Sequence, residues 1–440
     1  MLHLANGIWG KTTKIDSISD FNGFDDTGLL DCFDKEYRAS STETTSFTFS
    51  DLELDEIVLR CRLLRSIPLQ TARRMLLAME QAITITLDRV MPSAILSLTV
   101  DTFFLDLLAR IANKRGVRFI GLVPSFVKEH FRITERGEHV DSRSVTPADI
   151  DTALTTLIVK DYRPDFLVQS DRELRQQMWS LWFRNLPKPL WFALRRMIPG
   201  EALNIHYWAS QIVSKQYWSF WPRQLDSISD RALDILVDDG GLPLVYMPLQ
   251  MSPEATIDYW SSDTRWIDYE RFILDLVRRY RGKWRFVVKE HPNLMGYRSR
   301  GFYKRLDAEP NCVMVAPKVP SNKLISMCQS VLVCTGTAGF EAALRGKPVL
   351  SDSEPYYAPP GILLPVDTLE GELPSPIEDS ARQRALMEHV LRGTLPGRFL
   401  NNGKWDVDNP EHRVWSETMA ASIEGYLSRE NGLEAATKKS

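Results

Sequence analysis

Residues 331–350 read VLVCTGTAGFEAALRGKPVL, and their order decides the fold. The apolar run Val331–Cys334 suits a buried strand, and small residues then turn the chain. Ala338–Arg345 carries helical spacing, and Pro348–Leu350 is apolar again. Strand, tight turn, helix and strand in so short a span make part of a parallel α/β layer. Upstream the same rhythm continues, with strands expected at Leu242–Leu249 and Trp284–Lys289 and helices at Tyr269–Tyr280 and Asn322–Gln329. A Rossmann-like domain is therefore expected over about 240–400, followed by an amphipathic helix at Val414–Leu427 and a polar tail.

A second, earlier α/β signal lies at Ala94–Val100 and Val117–Val123, two apolar runs joined by a helical pattern from Thr102 to Lys114 and a stop at Gly116. Before it, Leu52 to Val90 predicts two helices in tandem, broken at Pro68 because proline removes a helix donor. Residues 1–50 read as polar, ordered and loop-rich. Between Met178 and Trp221 lie six of the twelve tryptophans, Trp179, Trp182, Trp191, Trp208, Trp218 and Trp221, interleaved with Arg184, Lys188, Arg195 and Arg196. Such a surface suits a membrane headgroup layer or a sugar acceptor; ordinary interdomain packing accounts for it equally well.

At 440 residues the chain exceeds the ~100–200 of one ordinary domain. The expected division is 1–238, a domain with an irregular N-terminus and the Trp-rich segment; 239–428, the later Rossmann-like domain; and 429–440, a disordered tail. Lys and Arg total 54 against 57 acidic residues, so the net charge of −3 excludes the broad positive field that nucleic-acid binding uses. Five cysteines (Cys32, Cys61, Cys312, Cys328, Cys334) form no C-x-x-C pair and read as reduced, buried thiols. No stretch reaches the ~18–20 apolar residues that span a bilayer, so the expected location is the cytoplasm or the cytoplasmic face of the inner membrane.

Three strand ends carry candidate chemistry. Lys289-Glu290-His291-Pro292 follows the strand at Trp284–Lys289, at the carboxyl edge where open α/β sheets bind ligands. His291 and Lys289 there suit a phosphate or a leaving oxygen, and Pro292 fixes the loop. In Thr335-Gly336-Thr337-Ala338-Gly339 the hydroxyls of Thr335 and Thr337 and the glycines Gly336 and Gly339 open a helix whose N–H groups point at an anion; packing alone also explains glycine at such a turn. Glu341 lies one turn on. Gln250 and Glu254 follow the strand at Leu242–Leu249, and Glu254 is either a base or nucleophile or a helix-start carboxylate. Asp101 ends the strand Ala94–Val100 as a ligand-edge carboxylate or a helix cap. No D-x-D pair sits at a strand end, and neither metal nor cofactor is expected.

In this order P-L-Q-x-x-P-E, K-E-H-P and T-G-T-A-G-F-E-A-A-L-R-G-K-P-V-L resemble the capsule polysaccharide biosynthesis family of bacterial glycosyltransferases over about Leu242–Gly361. His-Pro followed by a hydroxyl pair is similar to the Kdo transferases of capsule synthesis and to GT-B sialyltransferases. The resemblance implies a GT-B fold, two Rossmann-like domains facing a central cleft. It also implies transfer from a nucleotide-sugar donor, CMP-Kdo or a related CMP-sugar, to a glycan or lipid-linked acceptor. His291 then contacts the donor phosphate, Thr335 and Thr337 hold it, and Glu341 lies near the nucleoside. Glu254 or Asp101 serves as the catalytic carboxylate, and Gln250, Lys289, Pro292 and Gly336 line the donor site. The chain departs from the pattern where it has Pro253-Glu254 in place of an Asp after the Gln strand, and where Gly336 splits the hydroxyls. Asp238-Asp239-Gly240 reads as an interdomain turn. A nucleotide-sugar 2-epimerase or a non-catalytic subunit of a polysaccharide assembly complex are the rival expectations.

Overall fold

The structure is a computed structural model that describes residues 2–4, 12–14, 25–26, 29–39, 47–157, 183, 241–291, 298–315, 319–376, 379–399 and 409–437. The Trp-rich segment (apart from Phe183), Asp238-Asp239-Gly240 and Pro292 lie outside them.

The chain forms two units, residues 1–168 with 387–440, and 169–386. The first begins with short strands β1 (Leu2–Leu4), β2 (Thr12–Lys14) and β3 (Asp25–Asp26) and helix α1 (Leu29–Ala39). Among the described residues of 1–50, these elements stand where loops were expected. α1 forms because Leu29 and Phe33 bury one face four residues apart. Helix α2 (Asp51–Arg60) starts at a capping box in which Ser50 and Glu53 satisfy each other's backbone N–H groups. Pro68 supplies the N-cap of α3 (Leu69–Val90) and, as expected, separates the two helices. Strand β4 (Ala94–Leu98), helix α4 (Phe103–Lys114), strands β5 (Arg118–Pro124) and β6 (His130–Ile133) and helix α5 (Pro147–Leu157) follow.

The second unit runs β7 (Leu244–Pro248), α6 (Ala255–Asp258), α7 (Tyr269–Arg279), β8 (Arg285–Lys289), α8 (Arg300–Asp307), β9 (Cys312–Val315), α9 (Ser321–Met327), β10 (Ser330–Leu332), α10 (Thr337–Leu344), β11 (Val349–Leu350) and β12 (Leu363–Leu364). Its end falls inside α11 (Ser380–Arg392), after which β13 (Leu395–Pro396) and α12 (Pro410–Thr437) rejoin the first unit.

That return differs from the expected single domain at 239–428, since residues 387–440 group with the first unit. β13 pairs antiparallel with β6. Met419 and Ile423 of α12 share a core cluster with Ala94, Leu96, Ile120, Phe131 and Leu395. Apolar area that β4–β6 would otherwise show to water is covered this way, at ~25 cal/mol per Å². α12 also runs on to Thr437, through most of the expected tail.

The first sheet has the order β13-β6-β5-β4-β1-β2-β3, in which β1, β4 and β5 are parallel and the outer pairs antiparallel. The second has the order β12-β11-β10-β7-β8-β9, every pair parallel. Its strands other than the half-buried β12 are largely buried on both faces and read as apolar runs for that reason. These are the two Rossmann-like domains of the GT-B fold expected from the sequence. In the second sheet the strand order reverses between β7 and β10, the switch point beside which the carboxyl ends of a doubly wound sheet leave a crevice.

Candidate functional site

The loops after β7 and β10 flank this switch point, and the loop after β8 adjoins them. After β7, Gln250 is buried, and both of its backbone groups are tied. Its N–H donates to the Tyr269 hydroxyl at 2.7 Å and its carbonyl accepts from Arg298. Its side-chain Oε1 accepts the Thr335 N–H at 3.3 Å, while Nε2 has no hydrogen-bond partner. Nε2 lies against Gly336, where an added Cβ would come within 2.7 Å of it. Gly336 has an ordinary φ of −69, so glycine is required there by this close approach and not by backbone conformation.

After β10, Thr335 donates through Oγ1 to the Thr256 carbonyl at 3.0 Å, joining the β10 loop to α6. Gly336 is the N-cap of α10, and its carbonyl accepts from both the Tyr357 hydroxyl and the Gly339 N–H at 3.0 Å. Thr337 opens the helix. The first-turn N–H groups and the helix dipole give this end a partial positive charge beside Gln250 Nε2. Farther along α10, burial raises the Glu341 carboxyl above the usual carboxylate range, while the charges of Arg345 and Lys289 pull it back.

Lys289 at the end of β8 donates to the Ser321 hydroxyl at 3.0 Å, and so does the Tyr246 hydroxyl at 3.1 Å. Glu290 is fully buried. Arg298 Nε meets its Oε2 at 2.6 Å and Nη2 its Oε1 at 3.1 Å, and the Tyr303 hydroxyl donates to Oε2 at 2.6 Å. The His291 N–H donates to Glu290 Oε1 at 2.6 Å. Burial, with the charges of Arg298 and Lys289, holds the half-buried His291 imidazole down to about 4. At neutral pH it is therefore uncharged and offers a ring N–H or a lone pair.

Glu254 is the residue from which α6 starts, its carbonyl accepting the N–H groups of Ile257 and Asp258. Its half-buried carboxylate makes no cap hydrogen bond and accepts instead from the Thr256 hydroxyl at 2.5 Å. Asp101 lies in the first unit at the end of β4. The cap of α4 is Thr102, whose Oγ1 accepts the Leu105 N–H, and this removes the capping reading of Asp101. Burial raises the Asp101 carboxyl, opposed by the charge of Arg62, which donates to the Asp101 carbonyl at 2.9 Å.

The second unit thus brings together Gln250, Glu254, Lys289, His291, Thr335, Gly336, Thr337 and Glu341 at one sheet edge. Asp101 belongs to the other unit, and Pro292 is outside the described residues. Sequence reasoning missed Arg298, Tyr269, Ser321 and Tyr357, and passed over Glu290 inside a motif it had quoted. Among the described residues no group of three or more His, Cys, Asp or Glu is placed to hold a metal ion, and no helix is long and apolar enough to cross a membrane.

The model of the family described as capsule polysaccharide biosynthesis protein matches residues 107–368. No curated protein matches the chain. Among solved structures, the beta Kdo 2,7 transferase KpsC of Thermosulfurimonas dismutans is 15% identical, with 73% of this chain and 84% of that chain covered and a TM-score of 0.33. KpsC of the same organism as beta Kdo 2,4 transferase is 13% identical over 68% and 79%, with a TM-score of 0.33. UDP-GlcNAc 2-epimerase of Neisseria meningitidis, bound to UDP-GlcNAc, is 15% identical over 74% and 79%, with a TM-score of 0.21.

Proposed function

We propose, from the premise that this chain belongs to the capsule polysaccharide biosynthesis protein family, that it transfers a sugar from a nucleotide donor to a surface-polysaccharide or lipid-linked acceptor. The observation that carries this reading is Gln250 Nε2, a buried donor with no partner, set against the N-terminus of α10 at the switch point of a parallel sheet. A phosphate oxygen satisfies both features at once, because it accepts hydrogen bonds and carries negative charge.

A CMP-linked sugar of the Kdo or sialate type is the donor class proposed. Its monophosphate takes hydrogen bonds from Gln250 Nε2, from the Thr335–Thr337 loop and from neutral His291, with Lys289 close by and Glu341 toward the nucleoside. The acceptor hydroxyl oxygen bonds to the anomeric carbon as the bond from that carbon to the phosphate oxygen breaks. The hydroxyl proton goes to a carboxylate, Glu254 in the second unit or Asp101 in the first. The leaving CMP keeps the electron pair and is stabilised by the fixed donors, so the step calls on neither metal nor cofactor. Acceptor glycan would lie on the first unit, at the cytoplasmic face of the inner membrane, within reach of polysaccharide assembly proteins.

The test is a thermal-shift screen of the purified protein against CMP, CDP, UMP, UDP, GDP and ADP, since a ligand of the native state raises Tm by mass action. CMP is expected to raise it and His291→Ala to abolish the shift. Stabilisation by UDP or GDP alone discards the CMP donor, and silence from every nucleotide overturns the nucleotide-sugar reading.

A further inference from the structure

The buried pair Arg298–Glu290 packs against Tyr269 of α7 and Phe302 and Tyr303 of α8, and it also touches the loops that build the site. Arg298 is fully enclosed, its guanidinium lying 4.6 Å from the centre of the Tyr269 ring and 5.8 Å from that of Phe302. Its two nitrogens hold the Glu290 carboxylate in a fork, and Nη2 also donates to the Gln250 carbonyl. Tyr269, over which it stacks, accepts the Gln250 N–H. Glu290 Oε1 takes the His291 N–H. Gln250 in turn holds the Thr335 N–H and presses on Gly336. One ion pair therefore sets Gln250 after β7 and His291 after β8 directly, and reaches the β10 loop through Gln250.

We infer that Arg298, held by Glu290, is the positioning residue of the donor-phosphate site, orienting Gln250 and His291 without touching the ligand itself. The inference rests on the nucleotide-sugar reading for what the site binds, but not for the ordering of the loops. A buried ion pair is a poor device for stability alone, because desolvating two charges offsets most of their attraction, and apolar side chains of similar size replace such pairs at no net loss. Its geometric demand is different. The planar fork meets one carboxylate and one carbonyl in fixed directions, which neither lysine nor an apolar side chain reproduces.

This separation of stability from geometry gives the experiment. In the full chain, the paired variant Glu290→Met/Arg298→Met should stay folded. By hydrogen-exchange mass spectrometry, peptides covering Gln250 and His291 should exchange at least tenfold faster than in the parent, while those of β7 and β8 keep their protection. Calorimetric titration with CMP should show at least a tenfold loss of affinity. Adding Gln250→Ala to the paired variant should cost little more, because Arg298 acts through Gln250; additive losses would mean independent roles. Arg298→Lys should behave like the paired variant in both readouts, which keeps the question answerable if the paired variant does not fold.

Unchanged loop exchange and CMP affinity within about twofold of the parent, in a folded variant, overturn the positioning role while leaving the nucleotide site in place. If the parent chain binds no nucleotide, the functional reading falls. The exchange data then still decide whether Arg298 orders the loops: unchanged protection removes that ordering, and lost protection retains it.

Discussion

His291 shows how an environment changes what a residue can do. Placed by Glu290 and enclosed near two cations, its imidazole drops from an ordinary 6.5 to about 4. The unfolded chain then binds a proton at pH values where the folded one does not, so this group destabilises the fold progressively as pH falls from about 6.5 to about 4, and above that window the penalty is absent. His291→Asn should therefore flatten the dependence of Tm on pH between 6.5 and 4 and leave it unchanged near pH 8. Parallel slopes for the two proteins in calorimetry would show that burial does not hold the imidazole neutral. The place of His291 at a strand end was legible from the apolar run before it and the proline after it. Arg298 was not: it follows Asn293-Leu294-Met295-Gly296-Tyr297, a stretch with no periodicity, and its proposed role exists only because the chain folds back onto Glu290. Glu290 itself looked like a solvent charge between Lys289 and His291. Nothing in one dimension distinguishes an exposed carboxylate from one enclosed with a guanidinium.

Among elements, α10 is the one on which the site depends. Its N-terminus is made by two glycines that fail differently. An Ala at position 336 meets the far end of the Gln250 side chain, which can swing aside, so the fold should survive while the donor amide leaves its place. Gly336→Ala should weaken CMP binding about tenfold, the worth of one hydrogen bond, with a small change in Tm. An Ala at position 339 runs into the Tyr357 hydroxyl and the Val333 side chain within the core. Gly339→Ala should cost about 1–3 kcal/mol of stability by overpacking. Denaturant titration beside nucleotide titration separates the two, and equal losses of stability would contradict the assignment of Gly336 to the site. Four of the six strands of the second sheet were readable to within a residue or two, as with β7, expected at Leu242–Leu249 and found at Leu244–Pro248, whereas β9 and β12 were not expected. Burial on both faces makes such strands unbroken apolar runs. By contrast β1, β2 and β3 are too short to show alternation, and α1 hides its apolar stripe among charges.

For the whole molecule, the cysteines report on each unit separately. Cys61, in the first unit, and Cys312, Cys328 and Cys334, in the second, are buried, and burial pushes the last three thiols up to about 12. Cys32 is half-buried. In native conditions iodoacetamide should label Cys32 first and the other four only as urea opens the unit that holds each, since the thiolate is the reactive form. Labelling of Cys334 at the rate of Cys32 in native protein would contradict the closed end of β10. The two-unit plan was legible from two α/β series and a chain too long for one domain. Where the division falls was not, because it depends on Leu395, Met419 and Ile423 finding β4–β6 across the intervening unit, a match of surfaces that has no local signature.

The return of β13 and α12 to the first unit also orders events in time. A ribosome delivers the strands of the second sheet before it delivers residues 387–440, so the later domain can close while the earlier one still lacks its last strand and its covering helix. Until translation reaches them, β6 remains a bare edge and the apolar face of β4–β6 remains wet, the condition in which nascent chains pair with one another. A message truncated after the second unit would therefore yield a chain whose finished half is the one that carries the proposed donor site, tethered to a half prone to aggregate.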